Sequence, residues 1–204
     1  IKRKDLYFAF PSKENQLLAN DYSKYLYIKS KKKISKNQPL NNSNSTILDN
    51  RDTVYKIIEK VKKLLNRFNY LIPNFVNFEI SHHYGIEKFN KFGLTMFNVI
   101  NRDYCKKILV LLPGQKHPTQ FHKIKEETFN LLHGDLNLVI NGKLKKCIPG
   151  DVVTIKPKDR HAFSSKQGCV IEEISTTHYS NDSFYVDKKI MKNKSRKTHL
   201  NYWL

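Results

Sequence analysis

The sequence predicts a mainly β protein, a sandwich or barrel of short strands, preceded by one helix and an irregular extension. Three observations carry this. From about residue 76 onward, short runs rich in branched and aromatic residues recur, closed by Gly, Pro, Asn or Asp. Residues 51–69 instead place apolar residues at three- and four-residue steps. Residues 1–50 show neither period.

The elements follow in chain order. Residues 1–50 are polar and end in NQPLNNSNSTILDN, a loop-like stretch. In RDTVYKIIEKVKKLLNRFN, residues 51–69, Val54, Ile57, Ile58, Val61, Leu64, Leu65 and Phe68 form one helical stripe, and Asn50 or Asp52 is placed to cap its start. The helix and its connection take residues 51–75. The β region takes 76–204 and ends in a basic tail. Its strands read as VNFEIS, GLTMFNVI, KILVLL, LNLVIN, DVVTIK, HAFSS and CVIEEIS, with turn signals such as Asn141-Gly142 and Pro149-Gly150-Asp151 between them.

Composition bounds the function. Of the 204 residues 39% are hydrophobic, and no run approaches the roughly 20 apolar residues that cross a bilayer, so no membrane partner is expected. Three cysteines, with no C-x-x-C pair, suit free thiols in a cytoplasmic protein. The basic start lacks an apolar segment and a cleavage site, so it does not read as a secretory signal. The net charge of +19 comes from lysines spread along the chain without a nucleic-acid motif. Nucleic acid is therefore not the expected partner, and attraction to anionic sugars or phosphates is a simpler use of the same field. The chain begins with Ile rather than Met, which suggests a C-terminal piece of something longer.

The densest chemistry lies in GQKHPTQFHKIKEETFNLLHG, residues 114–134. On a strand, Gln120 and His122 share a face, and Glu127 follows on the next strand or across a turn. A second segment, GDVVTIKPKDRH, ends in His161 at the start of another strand. Two imidazoles, a carboxylate and an amide oxygen make a mixed ligand set for a divalent ion: Zn, Mn, Fe, Co or Ni. Open positions on such an ion can hold substrate oxygens. His117 is a substitute ligand but lies out of phase with Gln120. His133 reads as a packing or turn residue. Of the adjacent His82 and His83, at most one faces a cavity.

These two segments resemble the two halves of the cupin pattern, G-x5-H-x-H-x4-E-x6-G and then G…P…H, with Gln120 where the first His usually stands. The resemblance implies a double-stranded β-helix, or jelly-roll barrel. The Gln-His-Glu-His set is similar to that of type I phosphomannose isomerases. Residues 76–190 resemble D-lyxose isomerase-type cupins and, more closely, the cupin extension at the C-terminus of sialic acid synthase-type proteins. EISHHYGIEKF and RKTHL look like that extension too, and residues 22–46 weakly resemble an antifreeze-like segment. The isomerase pattern H-x-x-K-x-E falls on His122, Lys125 and Glu127, and E-x-S-T on Glu173, Ser175 and Thr176. It implies that His122 and Glu127 bind metal, that Lys125 leans toward substrate hydroxyls or an enediolate oxygen, and that Glu173 moves a proton between C1 and C2. On strand alternation alone, either Glu172 or Glu173 faces inward.

The expected function is a metal-binding cupin acting on or sensing a sugar or sugar acid in sialic acid-like biosynthesis, as an aldose–ketose isomerase or epimerase. The alternatives are a non-catalytic sugar-binding or oligomerisation module of a larger synthase, and an iron-dependent dioxygenase. The expected partners are a sugar or sugar acid, an upstream synthase domain in the same longer chain, and a second copy. The homodimer is expected to bury part of the apolar segment SHHYGIEKFNKFGLTMFNVI.

Overall fold

The computed structural model describes residues 42–73 and 76–200; the expected antifreeze-like segment and most of the N-terminal extension lie outside these. Helix α1 (Asn42–Arg67) is followed by β1 (Asn77–His82), a short 3-10 turn, α2 (Phe89–Phe92), β2 (Gly93–Asn101), β3 (Tyr104–Leu111), β4 (Lys116–Phe121), β5 (Glu127–Gly134), β6 (Leu136–Ile140), β7 (Lys143–Cys147), β8 (Val152–Ile155), β9 (His161–Ser164), β10 (Cys169–Thr176), β11 (Phe184–Tyr185), α3 (Lys188–Lys192) and β12 (Lys197–Leu200).

The helix corrects one boundary. It takes in residues 42–50, read above as a loop, so Asn50 and Asp52 lie within it rather than at its cap. Asn and Ser lower helix propensity by only a fraction of a kcal/mol each, and extension of a formed helix gains a hydrogen bond per residue. Its end is sharp. Asn69 adopts φ 52, Tyr70 N–H donates to the Leu65 carbonyl at 3.0 Å, and Asn69 N–H donates to Asn66 at 3.1 Å. This paired bonding is a Schellman stop.

The strands form two antiparallel sheets, ordered β12-β1-β2-β3-β10-β5-β8 and β11-β4-β9-β6-β7. The first sheet is apolar on both faces. Phe78, Ile80, Phe97, Ile108 and Val110 pack with Ile57, Val61, Leu64 and Leu65 of α1. Leu109, Leu111, Phe129 and Ile171 pack with Leu136, Leu138 and Phe163 of the second sheet. Asn141 (φ 49) and Gly142 (φ 81) both take left-handed backbone, as a tight β6–β7 hairpin requires. The segment expected to bury in a homodimer spends much of its apolar surface within the chain: Phe89, Leu94 and Phe97 are buried.

Docking of α1 has a measurable consequence. Leu65 is fully buried between helix and sheet, so Leu65→Ala is expected to lower stability by about 2–5 kcal/mol in chemical denaturation. A loss well under 1 kcal/mol would contradict this packing.

Candidate metal centre and cavity

The second sheet opens a polar cavity against β1, β3, β5 and β10. β4 ends just before His122, while Glu127 and His161 begin β5 and β9. Gln120 pairs in register with His161. Gln120, His122, Glu127 and His161 are all buried. One ligand atom from each of His122, Glu127 and His161 lies within 4.8 Å of the others.

Hydrogen bonds on the far side of each imidazole decide its chemistry. His122 Nδ1 lies 2.6 Å from the Asp182 carbonyl, and His161 Nδ1 lies 3.1 Å from the Asp159 carbonyl. A carbonyl only accepts, so each Nδ1 carries a proton, and when the ring is neutral its Nε2 presents a lone pair inward. Those lone pairs face Glu127 Oε1, at 3.5 Å for His122 and 2.9 Å for His161. His122 Nε2 and Glu127 Oε1 have no hydrogen-bond partner, although both are buried. A cation among them would satisfy the two that lack a partner, His122 Nε2 and Glu127 Oε1. The residues therefore fit a divalent ion, with carbonyls orienting the histidines from behind. Gln120 Nε2 lies 3.2 Å from His161 Nε2, so its amide borders the same point.

Asp182 locks this corner. Its carboxylate accepts from the backbone N–H groups of Lys123, Ile124 and Lys125 at 2.8–3.1 Å, and its carbonyl holds His122. Burial would raise its carboxyl pKa, but those N–H bonds outweigh burial and lower it. Asp182→Ala frees the turn that separates two ligands. Metal affinity is expected to fall about 10–100-fold, read by metal titration. Unchanged affinity would show that the turn keeps its shape without Asp182.

Lys125 and Glu173 sit beside this point. Lys125 Nζ is 2.5 Å from Glu127 Oε2 and 2.9 Å from Glu173 Oε1, and Lys107 Nζ is 3.6 Å from Glu173. Burial alone would lower the Lys125 pKa, but Glu173 and Glu127 outweigh it and raise it above the ordinary lysine value. Burial likewise pushes Glu173 and Glu127 up, and the opposing charges win. Lys107 and Lys125 hold Glu173 below the usual carboxylate range, and Lys125 holds Glu127 well below it. The choice on β10 is settled by burial: Ile171, Glu173 and Ser175 face inward, while Ile174 is exposed and Glu172 pairs with Lys106 at 2.7 Å.

The remaining histidines divide. A bulge between His117 and Gln120 corrects the phase argument, because it turns both to the cavity. His117 stacks on Phe163 at 4.4 Å and lies outside the ligand cluster. His133 packs against Phe68 and Tyr70. Neither His82 nor His83 lines the cavity: His82 bonds Thr198, and His83 donates its Nδ1–H to the Phe92 carbonyl with its Nε2 3.0 Å from the Tyr185 hydroxyl. Burial lowers the His83 pKa to about 4 and raises that of Tyr185. The sequence reading missed Asp182, Tyr185, Lys107 and Arg196. Only Lys107 left a local signal, as a cation inside an apolar strand.

Comparisons with known proteins bear on the fold. No family model matches the chain. A D-lyxose/D-mannose isomerase of Thermosediminibacter oceani is 26% identical, with 69% of this chain and 94% of that protein covered. The L-ribose isomerase of Cellulomonas parahominis, solved with L-psicose, superposes with a TM-score of 0.57 at 13% identity, over 70% of this chain and 94% of that one. The L-ribose isomerase of Geodermatophilus obscurus gives 0.50 at 14% identity, over 55% and 81%. The chain has the cupin fold. Among the described residues no helix is long and apolar enough to cross a membrane.

Proposed function

We propose that this chain is a metal-dependent cupin that interconverts an aldose and a ketose, or epimerises a sugar, within sialic acid-like sugar biosynthesis. The observation that carries the reading is the convergence of His122, Glu127 and His161 beside the buried Lys125–Glu173 pair. Similarity to a D-lyxose/D-mannose isomerase over most of that protein supports the reaction class. The pathway rests on the likeness of EISHHYGIEKF and RKTHL to synthase extensions.

His122, Glu127 and His161, with Gln120 at the edge, would hold a divalent ion, which would supply Lewis acidity to a sugar carbonyl. The chain's own groups move the protons. Glu173, kept ionised by Lys107 and Lys125, takes the proton from C2 of an open-chain aldose and returns it to C1. The hydroxyl proton passes from O2 to O1, leaving a carbonyl at C2 and a hydroxyl at C1. Lys125, held cationic, donates a hydrogen bond to the oxygen that gains charge in between.

The test is exchange at C2 of lyxose, mannose and N-acetylmannosamine in deuterated water with added Mn or Zn. Exchange in at least one sugar is expected. A second reading, a sugar-sensing module without catalysis, is favoured by Gln120 in a position where cupins commonly carry His. Sugar binding without exchange in any of the three would choose it.

A further inference from the structure

We infer that the cavity takes an anionic sugar, whose carboxylate or phosphate seats on the Arg196 guanidinium. The inference rests on the proposed sugar-acting role and narrows its substrate class. Four cations line the cavity, and three of them already face carboxylates. Lys125 is held between Glu127 and Glu173, Lys107 faces Glu173, and Lys197 lies 2.9 Å from Glu79 Oε1.

Arg196 is the exception. Among the described residues no carboxylate lies within 4 Å of it. Its Nε is buried without a partner, and Nη1 makes one long bond, 3.4 Å, to the Asn193 carbonyl. Its Cζ stands 5.6 Å from the Tyr185 ring centroid, so the ring supports the guanidinium plane. A partly buried guanidinium with free N–H groups matches the planar, bidentate chemistry of a carboxylate or phosphate. A neutral sugar hydroxyl would leave its charge uncompensated.

The surroundings point the same way. His178, also lining the cavity, is pushed down to about 3, by burial first and then by Lys107 and Lys125. Ser81, Ser180 and Ser183 line the same space and offer hydroxyls without adding charge.

Calorimetric titration of the full metal-loaded chain tests this, with mannose, mannonate and mannose 6-phosphate as probes. One of the anionic sugars is expected to bind at least about tenfold tighter than mannose. Mannonate alone doing so identifies a carboxylate, and mannose 6-phosphate alone a phosphate. Arg196→Gln is expected to bring the ratio to within about twofold while mannose affinity stays near wild type. Arg196→Lys keeps the charge but not the fork, and should retain part of the preference. This second variant serves if Arg196→Gln folds poorly. Equal affinities in the wild type, or a preference that survives Arg196→Gln, would overturn the inference and leave the sugar-acting role standing. Binding of none of the three sugars would overturn both.

Discussion

Glu173→Gln is expected to slow C2 exchange by about a hundredfold to ten-thousandfold while the chain keeps its metal. Glutamine preserves the shape and the hydrogen bond to Lys125 but cannot take a proton at neutral pH. Glu173 pairs with Lys107 and Lys125 rather than with His122, Glu127 or His161, so the ion should stay. Exchange at the wild-type rate would remove Glu173 from the chemistry. Lost metal along with lost exchange would mean that the residue supports the centre instead.

Lys125→Met is expected to have the largest effect on stability, about 3–5 kcal/mol in metal-free protein at neutral pH. The lysine is buried, and its removal leaves Glu127 and Glu173 without their shared cation. The sign with pH follows from the shifts. The folded pKa of Glu173 is depressed, so its contribution is present above the unfolded carboxylate value of about 4.3 and is lost as pH falls through the folded one. In the variant, burial and the facing Glu127 act against the ionised form, which protonation relieves. The deficit should thus shrink as pH falls through the carboxylate range. Lys125 itself has a raised pKa and stays charged through neutral pH, so the wild type should show no corresponding change there. A deficit independent of pH would point to lost packing rather than to unpaired carboxylates. Bound metal should reduce it, because the ion replaces part of the missing positive charge at Glu127.

Legibility in the sequence tracked how local each signal was. The stripe Ile57, Ile58, Val61, Leu64 and Leu65 was readable because one face of α1 meets one sheet. Its start was not, because Asn- and Ser-rich residues look alike in a loop and in a polar first turn. The spacing from Gln120 through His122 to Glu127 was readable because the ligands sit on neighbouring strand ends. The choice between Glu172 and Glu173 was not, since each face of β10 carries one acid beside a buried apolar residue, Val170 toward α1 and Ile171 toward the second sheet. His117 was misjudged because a bulge adds a residue that alternation does not count. Asp182 and Arg196 act across the fold: Asp182 meets residues some 57–60 positions earlier, a separation no local pattern reports.

His122, Glu127 and His161 converge on one point that can hold a cation. Titration of chelator-stripped protein with Zn or Mn, followed by elemental analysis, tests it most directly. About one ion per wild-type chain is expected, with His161→Ala and Glu127→Ala each losing it, because each removes one of three buried donors. A wild-type chain that takes up no ion, or one that binds it equally well after His161→Ala, would contradict the account.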